Sequence, residues 1–357
     1  MSNRKNIIIA PLNWGLGHAT RCIPIIEELK KNGFTPIIAS DGSALDLLIK
    51  EFPTLKFIKL PSYNITYAKN GVFLKLKLLA NIPKLIAAVK KETLIINNLV
   101  EKENIHGIIS DNRFGVYHKN IPSVYITHQI NVFSGITTKF TSKLHQKIIR
   151  KFDECWIPDI KSENNYSGEL SKSHNLKIKS KYVGVLSRFK KNEIANLYDY
   201  LIILSGPEPQ RTILEHKLLT ELKDSIKKII LIKGVVESEQ KITKKNNITC
   251  YNFMTSKELE LTINQSNIII ARSGYTTIMD LATMNKKAFF IPTPGQYEQL
   301  YLAKRLDKIG NATYCKQDDF CIEKLTNIER TSPLSFKNNK KTNFNELFNC
   351  FQSKRKL

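Results

Sequence analysis

The sequence has little cysteine, few acidic residues and no long apolar run, and each shortage excludes a class of protein. Its six cysteines are irregularly spaced and form no CxxC pair, so neither a zinc site nor a disulfide framework is indicated. No apolar run approaches the roughly 18 residues needed to span a bilayer. The first nine residues lack the apolar core and cleavage site of a signal peptide. We therefore expect a cytoplasmic protein, with any membrane contact peripheral on the inner face.

Acidic residues are scarce beside basic ones. The 357 residues include 55 Lys and Arg against 32 Asp and Glu, a net charge of +23. This excess suggests an anionic partner: nucleic acid, membrane phosphate or a phosphorylated substrate. It is spread over both halves of the chain, and the sequence contains no RNP-type aromatic motif, GXXG clamp or zinc finger. No nucleic-acid partner is therefore expected.

The length allows two domains with a core each, and short β-branched runs alternate with helical patterns in two series. Such alternation is typical of parallel sheets with helices on both faces. The first series predicts strands at 6–10, 36–39, 56–60, 107–110 and 123–127, and helices at 18–31, 43–52, 82–100 and 137–152. The second predicts strands at 200–204, 228–232, 248–251, 268–271 and 288–292, and a last helical pattern covers 344–351.

We therefore predict an α/β protein of two doubly wound domains that face each other across a cleft. The first domain is placed at 1–183, a linker at 184–191, the second domain at 192–340 and a C-terminal helix and tail at 341–357. Ligands bind beyond the carboxyl ends of parallel strands, so functional residues are expected in the loops that follow the strands.

The loop after the first predicted strand, PLNWGLGHATR, combines glycines with a helix start. Glycines let the backbone approach a ligand closely, and a helix amino end favours negative charge. The loop is not a dinucleotide fingerprint, because Thr20 replaces the third glycine of GxGxxG and no acidic residue is suitably placed at the end of the second strand. His18 is either a capping or packing histidine or a residue that contacts ligand or acts in catalysis.

A second candidate follows the strand at 107–110, in the segment Ser110-Asp111-Asn112-Arg113. Asp111 is a general base, a residue that orients His18, or a loop N-cap. The residue types alone do not separate these roles.

Two loops of the second domain suit a nucleotide-sugar. In ARSGYTTIMD, the N–H groups and hydroxyls of Ser273, Gly274, Thr276 and Thr277 gather at a helix amino end, which suits a diphosphate. Asp280 lies on the same helix face at about the offset of a ribose, and we expect it to face solvent and ligand. The alternative is an ordinary N-cap followed by a solvated Asp.

In PTPGQYEQ, Glu298 and Gln299 are either polyol ligands or solvated loop residues.

Two stretches of the first domain are rich in lysine. Residues 69–91 carry six lysines and no acid among many apolar residues, and a second stripe repeats every four residues. Both predict contact with an anionic membrane surface; the alternative is a packed helix with a solvated lysine face. The lysines are Lys69, Lys75, Lys77, Lys84, Lys90 and Lys91 in the first stretch, and Lys139, Lys143, Lys147 and Lys151 in the second.

Six segments resemble, in chain order, glycosyltransferase family 28, the MurG-like UDP-sugar transferases: GLGHAT, THQIN, VGVLSRF, LSGPEPQR, ARSGYTTIMD and PTPGQYEQ. The resemblance implies a GT-B fold of two facing Rossmann-like domains. It also implies a hexosyltransferase that moves a sugar from a UDP-sugar, such as UDP-N-acetylglucosamine or a related hexose, to a hydroxyl acceptor. In the family a lipid-linked acceptor is reached from the cytoplasmic side. The first loop departs from the family's GGTGGH in having fewer glycines.

Carried over residue by residue, the resemblance assigns Arg188 to the donor phosphates, Phe253 and Met254 to the uracil and Asp280 to the ribose. It places Glu298 and Gln299 at the hydroxyls of the donor sugar. The other donor-side residues are Ser205, Gly206, Gln210, Arg211, Ser273, Gly274, Thr276 and Thr277. The acceptor-side residues are Gly15, Gly17, His18, His128, Gln129 and Asn131.

We expect an inverting transfer, and because no DxD motif follows a predicted strand, we expect it to need no metal and no other cofactor. His18 or Asp111 would deprotonate the acceptor, while the N–H groups at 273–277 and Arg188 or Arg211 stabilise the leaving diphosphate. The alternatives are a non-hydrolysing UDP-sugar 2-epimerase on the same fold, a donor-binding pseudo-enzyme and, from another class, a basic nucleic-acid-binding protein.

Overall fold

The computed structural model describes residues 4–63, 82–162, 165–172, 176–335 and 342–352. The chain divides into two compact units, and the division falls between Leu186 and Ser187. Unit 1 holds the described residues up to Leu186 together with 342–352, and unit 2 holds the described residues from Ser187 to 335. The C-terminal segment, which the sequence analysis set apart as a helix and tail, is thus part of unit 1.

Unit 1 is built on a seven-stranded parallel sheet in the order β3-β2-β1-β4-β5-β6-β7. Its strands are β1 Asn6–Pro11, β2 Thr35–Ser40, β3 Lys56–Lys59, β4 Ile105–Asp111, β5 Ser123–Ile126, β6 Glu154–Ile157 and β7 Lys179–Tyr182. Its first four helices are α1 Gly17–Lys31, α2 Gly42–Glu51, α3 Ile82–Lys102 and α4 Thr138–Ile149.

The central strands are buried on both faces, which explains why their sequences are continuous apolar runs. Ile7 and Ile9 of β1 pack with α1 and α2 on one face, whereas Ile8 and Ala10 pack with Ile96 of α3 on the other. The five strands predicted here are found within a few residues of their expected ends. Strands β6 and β7 were missed because they are short and carry Glu and Lys in place of an apolar run.

The C-terminal helix α9, Phe344–Phe348, closes one face of this sheet. Phe348 meets Phe34 edge-on with ring centroids 5.8 Å apart, and Lys5 Nζ donates to the carbonyl of Phe351 at 3.2 Å. The helix predicted at 344–351 ends at Phe348 and continues as a single 3₁₀ turn to Phe351. The two ends of the chain therefore stabilise the same core.

Unit 2 repeats the architecture in the order β10-β11-β9-β8-β12-β13-β14. Its strands are β8 Tyr198–Ile203, β9 Ile229–Ile232, β10 Ile242–Lys245, β11 Ile248–Tyr251, β12 Ser266–Ala271, β13 Lys287–Phe290 and β14 Thr313–Tyr314. Its α-helices, numbered here after those of unit 1 as α10 to α13, are α10 Gln210–Leu222, α11 Ser256–Asn264, α12 Tyr275–Thr283 and α13 Tyr297–Lys308.

The expectation of an entirely parallel sheet is wrong at one edge of unit 2. Strand β10 pairs antiparallel with β11 through a tight turn in which Asn246 has φ of 53°. All four residues of β10 are exposed, and Lys244 and Lys245 lie on this outer strand, where charge discourages pairing with another chain. Within the described residues, none of the helices is both long enough and apolar enough to cross a bilayer.

Candidate active site

The ends of β1 and β4 bring His18 and Asp111 together. The two strands are neighbours in the sheet, and Asp111 is the Cα partner of Pro11. His18 is the second residue of α1, and its Nδ1 lies 2.8 Å from Oδ1 of the fully buried Asp111. The Asp111 side chain is held by His18 and Arg21 instead of capping a helix, so of the three roles considered for it the N-cap is wrong. The contact fits a residue that orients His18.

Arg21 completes this cluster, and the sequence analysis missed it. The buried guanidinium donates from Nε to Asp111 Oδ2 at 2.5 Å and from Nη2 to Oδ1. Its Nη1 lies 3.1 Å from Nδ1 of His128, which is also buried. Arg21 follows His18 by three residues on α1 and so lies on the same helix face. That spacing within GHATR was the one available signal.

The electrostatics of the cluster set the proton positions. Burial alone would raise the pKa of Asp111, but the charges of Arg21 and His18 and their hydrogen bonds outweigh it and lower the pKa to about 2. At neutral pH Asp111 is therefore a carboxylate, which only accepts hydrogen bonds, so Nδ1 of His18 carries the proton. Arg21 Nη2 also lies 2.8 Å from this Nδ1, but a protonated nitrogen cannot accept, and we assign the Arg21 donor to Asp111. The Nε2 of His18 is then the basic nitrogen.

A second buried network lies beside this cluster. Arg113, two residues after Asp111, forms an ion pair with Asp41 and donates to Glu92 of α3 at 2.5 Å. Burial raises the pKa of Glu92 although Arg113 opposes the shift, and Tyr63 donates to the same carboxyl group at 2.6 Å. Asp41 follows β2 directly, contrary to the expectation of no suitable acidic residue there. Through its ion pair with Arg113, Asp41 joins the loop after β2 to the loop after β4.

The other acceptor-side residues divide between the cluster and the surrounding loops. His128 reaches Arg21, as described. Asn131 is used internally: its Nδ2 donates to the carbonyls of Glu169 and Lys172 at 2.8 and 3.1 Å, and its Oδ1 accepts from Gln146 at 3.2 Å. The backbone N–H of Gln129 donates to Thr127 Oγ1. Gly15 has φ of 73°, and Gly17 begins α1.

In unit 2, α12 begins directly beyond β12, and Gly274 is its N-cap residue. Thr276 is buried in the first turn. A Cβ built on Gly274 would meet only Thr277 Oγ1, at 3.9 Å, so the backbone at the helix amino end is accessible to a ligand. The hydroxyl of Ser273 is buried and donates to the carbonyl of Gln299 at 2.8 Å, which joins the two predicted donor loops.

Asp280 does not face solvent, and that expectation is wrong. It is only 8% exposed, and the hydroxyl of Ser187 donates to its Oδ1 at 2.7 Å. Burial raises the pKa of Asp280 to about 6, although the charge of Arg188 and the Ser187 hydrogen bond lower it. Asp280 is buried because the segment that starts at Ser187 packs over α12. The spacing of residues along the helix could not predict that contact.

The two arginines expected at the phosphates have different surroundings. Arg188 donates from Nη1 to the hydroxyl of Ser256 at 2.9 Å, and its guanidinium lies 4.6 Å from the Phe189 ring centroid. Arg211 forms ion pairs with Glu208 and Glu215 of its own segment. A carboxylate pair thus offsets the charge of Arg211, whereas the charge of Arg188 acts on Asp280 and lowers the pKa of that carboxyl group.

The remaining donor-side residues lie in or just behind the loops. Gln210 is buried, and its Oε1 accepts from Gln317 at 3.1 Å; Gln299 is buried, and its Oε1 accepts from the N–H of Thr293 at 2.7 Å. The Gln299 amide therefore holds a loop backbone, whereas the Gln210 amide binds another side chain. Phe253 and Met254 are buried, Ser205 and Glu298 are half-buried, and Gly206 has φ of 96°.

Arg272, which the sequence analysis did not single out, supports these loops. It is buried and donates to the carbonyls of Ile291, Pro292 and Gln210 and to the side chain of Gln317. Burial lowers its pKa to about 9. Among the described residues, no group of three or more His, Cys, Asp or Glu is placed to hold a metal ion.

Comparison with known proteins bears on the family and the fold of the chain. The model of the glycosyltransferase family 28 C-terminal domain matches residues 208–349. The chain is 24% identical over 331 residues to the UDP-N-acetylglucosamine--N-acetylmuramyl-(pentapeptide) pyrophosphoryl-undecaprenol N-acetylglucosamine transferase of Borrelia hermsii, covering 90% of this chain and 84% of that protein. With the Haemophilus ducreyi protein of the same name it is 24% identical, but the match spans 58% of this chain and only 57% of that protein.

Among solved structures, the spinosyn forosaminyltransferase SpnP superposes with a TM-score of 0.59 at 10% sequence identity, covering 92% of this chain and 90% of that one. At this identity the likeness concerns the fold alone. Taken with the two α/β units and the family match, it leads to one conclusion: residues 208–349 correspond to the C-terminal domain of glycosyltransferase family 28, in a chain with the GT-B fold of two Rossmann-like domains.

Proposed function

We propose that the protein transfers a sugar from a UDP-sugar to a hydroxyl acceptor, with inversion at the anomeric carbon and without a metal ion. The observation that carries this proposal is the His18 imidazole, which Asp111 holds through Nδ1 while Arg21 holds Asp111. The names of the B. hermsii and H. ducreyi relatives support a UDP-sugar donor, and we take UDP-N-acetylglucosamine or a related hexose as the substrate class.

In this proposal unit 1 activates the acceptor. His18 Nε2 removes the proton from the acceptor hydroxyl as its oxygen bonds to the anomeric carbon. The bond from that carbon to the diphosphate breaks on the opposite face, and UDP leaves with the electron pair. The proton remains on His18, and Asp111 stabilises the resulting imidazolium because its low pKa keeps it ionised. Asp111 is thus a positioning residue, and the earlier alternative of Asp111 as the base is less favoured.

Unit 2 holds the donor. The backbone N–H groups at the start of α12 and the hydroxyls of Thr276 and Thr277 suit a diphosphate, and Arg188 adds a positive charge. Asp280 accepts from the ribose hydroxyls, and Glu298, in the first turn of α13, accepts from the donor sugar. These fixed donors and dipoles stabilise the charge of the leaving diphosphate without Mg²⁺.

We further propose a lipid-linked acceptor reached at an anionic membrane surface, consistent with the pyrophosphoryl-undecaprenol in the relatives' names. The support is the outer face of α4. Phe140 and Leu144 of α4 and Ile136 of the 3₁₀ turn before it recur every four residues and are all exposed, and the exposed Lys139, Lys143 and Lys147 run beside them. The opposite face, with His145 and Ile149, is buried. An exposed apolar stripe flanked by cations suits the boundary between lipid headgroups and acyl chains.

The lysine stretch at 69–91 adds less to this proposal. Lys69, Lys75 and Lys77 lie outside the described residues. Lys84, Lys90 and Lys91 are exposed on α3, together with Ile82 and Ile86. In the second stripe, Lys151 lies beyond the end of α4, and its Nζ is 5.4 Å from the Tyr117 ring centroid. The surface we propose to touch lipid is therefore centred on α4.

Two measurements test the proposed reaction. Thermal unfolding with UDP-, GDP- and TDP-sugars reports the nucleotide, because a bound ligand stabilises the folded state by mass action. We expect stabilisation by UDP-sugars alone. UDP release with and without added glycosides or polyprenyl-linked acceptors, in buffer containing EDTA, then reports the reaction. Acceptor-dependent release that EDTA does not change is expected; conversion of the UDP-sugar to its 2-epimer without acceptor would contradict transfer.

A further inference from the structure

Trp14 is an exposed aromatic residue in a loop that follows a strand of unit 1. It lies in the loop between β1 and α1 and is 43% exposed. The only other tryptophan of the chain, Trp156 in β6, is 1% exposed, and its indole N–H donates to Glu154 at 2.9 Å. Burying an indole removes a large apolar surface from water and so stabilises a fold. An indole that stays half exposed in a loop after a strand therefore indicates a role in binding.

The loop fixes Trp14 from the preceding side. Asn13 points inward, where its Nδ2 donates to Asp41 at 3.2 Å and its Oδ1 accepts from the N–H of Ala44 at 3.3 Å and the hydroxyl of Ser43 at 3.1 Å. A Cβ on Gly42 would lie 2.3 Å from Asn13 Nδ2. The glycine therefore makes room for the Asn13 side chain, which anchors the loop to the start of α2.

The loop is also fixed on the following side. Leu16 packs against the core cluster, and its carbonyl accepts from the N–H of Thr20 at 2.9 Å. Between these anchors, Gly15 has φ of 73°, and a Cβ built on it would meet nothing within 4 Å. The loop that carries the indole is thus anchored on both sides, with open space beside Gly15, and such anchoring lowers the ordering cost when a ligand binds.

We base a role for the indole on its position in the chain relative to His18, the proposed base. Trp14 precedes His18 by four residues at the junction of loop and helix. Resting on the function proposed above, we infer that Trp14 is a specificity-determining platform for the acceptor, on which the apolar face of an acceptor sugar ring stacks while one hydroxyl of that ring reaches His18. A flat aromatic surface beside a few polar groups is the usual way in which a site fixes a ring with an apolar face and polar edges.

Tryptophan fluorescence tests this directly, since the chain has two tryptophans of opposite exposure. Acrylamide should quench Trp14 and spare Trp156, and Trp14→Phe should leave only the shielded emission. The probes are the methyl glycosides of glucose, galactose and N-acetylglucosamine, with glycerol as a polyol without a ring. At least one glycoside should lower the quenching of wild-type protein toward the Trp14→Phe value, and glycerol should not. Quenching unchanged by every glycoside, or lowered equally by glycerol, would overturn the inference.

Kinetics separate a platform from a structural residue. With a glycoside acceptor, Trp14→Ala and Trp14→Leu should raise the acceptor KM about tenfold or more, with the donor KM unchanged, while Trp14→Phe should retain most of the wild-type value. Phe57→Ala, which removes a 53% exposed aromatic ring from β3 of the same unit, is the matched control and should change neither KM. An unchanged acceptor KM in Trp14→Ala contradicts the platform.

The same samples distinguish this inference from the function on which it rests. If UDP stabilises the protein and UDP is released with acceptors that lack a sugar ring, while glycosides fail both tests above, the platform is refuted and glycosyl transfer stands. If UDP and UDP-sugars do not stabilise the protein, the proposed function is contradicted whatever the glycosides do.

Discussion

The hydroxyl of Ser187 donates a 2.7 Å hydrogen bond to Oδ1 of Asp280. Ser187, the first described residue of unit 2, thus covers the carboxylate that we assign to the donor ribose. The bond occupies one oxygen of the Asp280 carboxylate and offsets part of the cost of burying its charge. A ribose hydroxyl must then use the remaining acceptor sites of Asp280 or take the place of Ser187.

Removing the Asp280 carboxylate should weaken donor binding and lower stability together. Asp280→Ala loses the ribose hydrogen bonds, which to a charged acceptor amounts to about 2 to 4 kcal/mol of UDP binding. It also leaves Ser187 without its partner, so below pH 3.8, where Asp280 is protonated and imposes no cost of charge burial, the free energy of unfolding should fall by about 1 to 3 kcal/mol. Calorimetric titration with UDP and chemical denaturation measure the two effects. Ser187→Ala is the control: it should leave UDP affinity the same or higher, and UDP affinity unchanged in Asp280→Ala would refute the ribose assignment.

The raised pKa of Asp280 should appear as opposite pH dependences of stability and binding. Its pKa is shifted from 3.8 to about 6 in the folded protein, so protonation favours folding. The resulting stabilisation is complete below pH 3.8 and is lost as pH rises through 6, an amount of about 3 kcal/mol. Ribose hydroxyls require the ionised form, so UDP affinity should instead fall as pH decreases below 6.

Comparison with Asp280→Asn isolates this group. The difference in unfolding free energy between wild type and variant, measured from pH 4 to 7.5, should shrink with rising pH. Asp111, whose pKa is lowered from 3.8 to about 2, contributes stability that is present above pH 3.8 and is lost as pH falls through 2, below this range. A wild-type minus variant difference that does not vary with pH would show that Asp280 titrates normally.

Arg21 should be needed for both stability and turnover. Arg21→Ala leaves the fully buried Asp111 without its bidentate partner, which costs about 3 to 5 kcal/mol. Arg21→Lys keeps the charge but loses the paired donors, so its stability should lie between those of Arg21→Ala and wild type. In Arg21→Lys, which is expected to remain folded, kcat should fall more than the donor KM changes. Wild-type stability of Arg21→Ala by thermal denaturation would contradict the buried ion pair.

The α4 surface should bind anionic vesicles. Replacing Lys143 and Lys147 by Glu reverses two charges near the lipid, each worth about 1 kcal/mol, and should abolish sedimentation with vesicles that contain phosphatidylglycerol. Phe140→Ser should weaken it through lost apolar burial. The control is Lys304→Glu with Lys308→Glu, an exposed pair at the same spacing on α13, which changes the net charge equally. A similar loss in that control would mean that net charge acts rather than α4.

The sequence predicted those strands and helices that are determined by residues near one another in the chain. The strands β1 and β12 could be read from isoleucine runs, because strands buried on both faces must be apolar. Strand β10 could not, because an exposed edge strand carries lysines and has no such signature. Local pattern also fails for the helix at 137–152, which ends at Ile149.

The candidate site shows the same division. His18 and Asp111 were identified separately because each follows a strand, but Arg21 depends on the pairing of β1 with β4, which brings residues 90 positions apart into contact. Likewise, the spacing within α12 placed Asp280 on the face of the threonines, whereas its burial depends on Ser187, 93 positions away. The nearby sequence gives no sign of the Asp280–Ser187 contact, and for Arg21 it offers only the three-residue spacing from His18.

The most direct test of the proposed mechanism is acceptor-dependent UDP release by His18→Ala, with UDP affinity measured on the same preparation. If His18 Nε2 removes the acceptor proton, kcat should fall about a hundredfold or more, as for loss of a general base, while the dissociation constant of UDP stays within about twofold because α12 and Asp280 are untouched. A kcat close to that of wild type would contradict the central claim that the histidine held by Asp111 is the catalytic base.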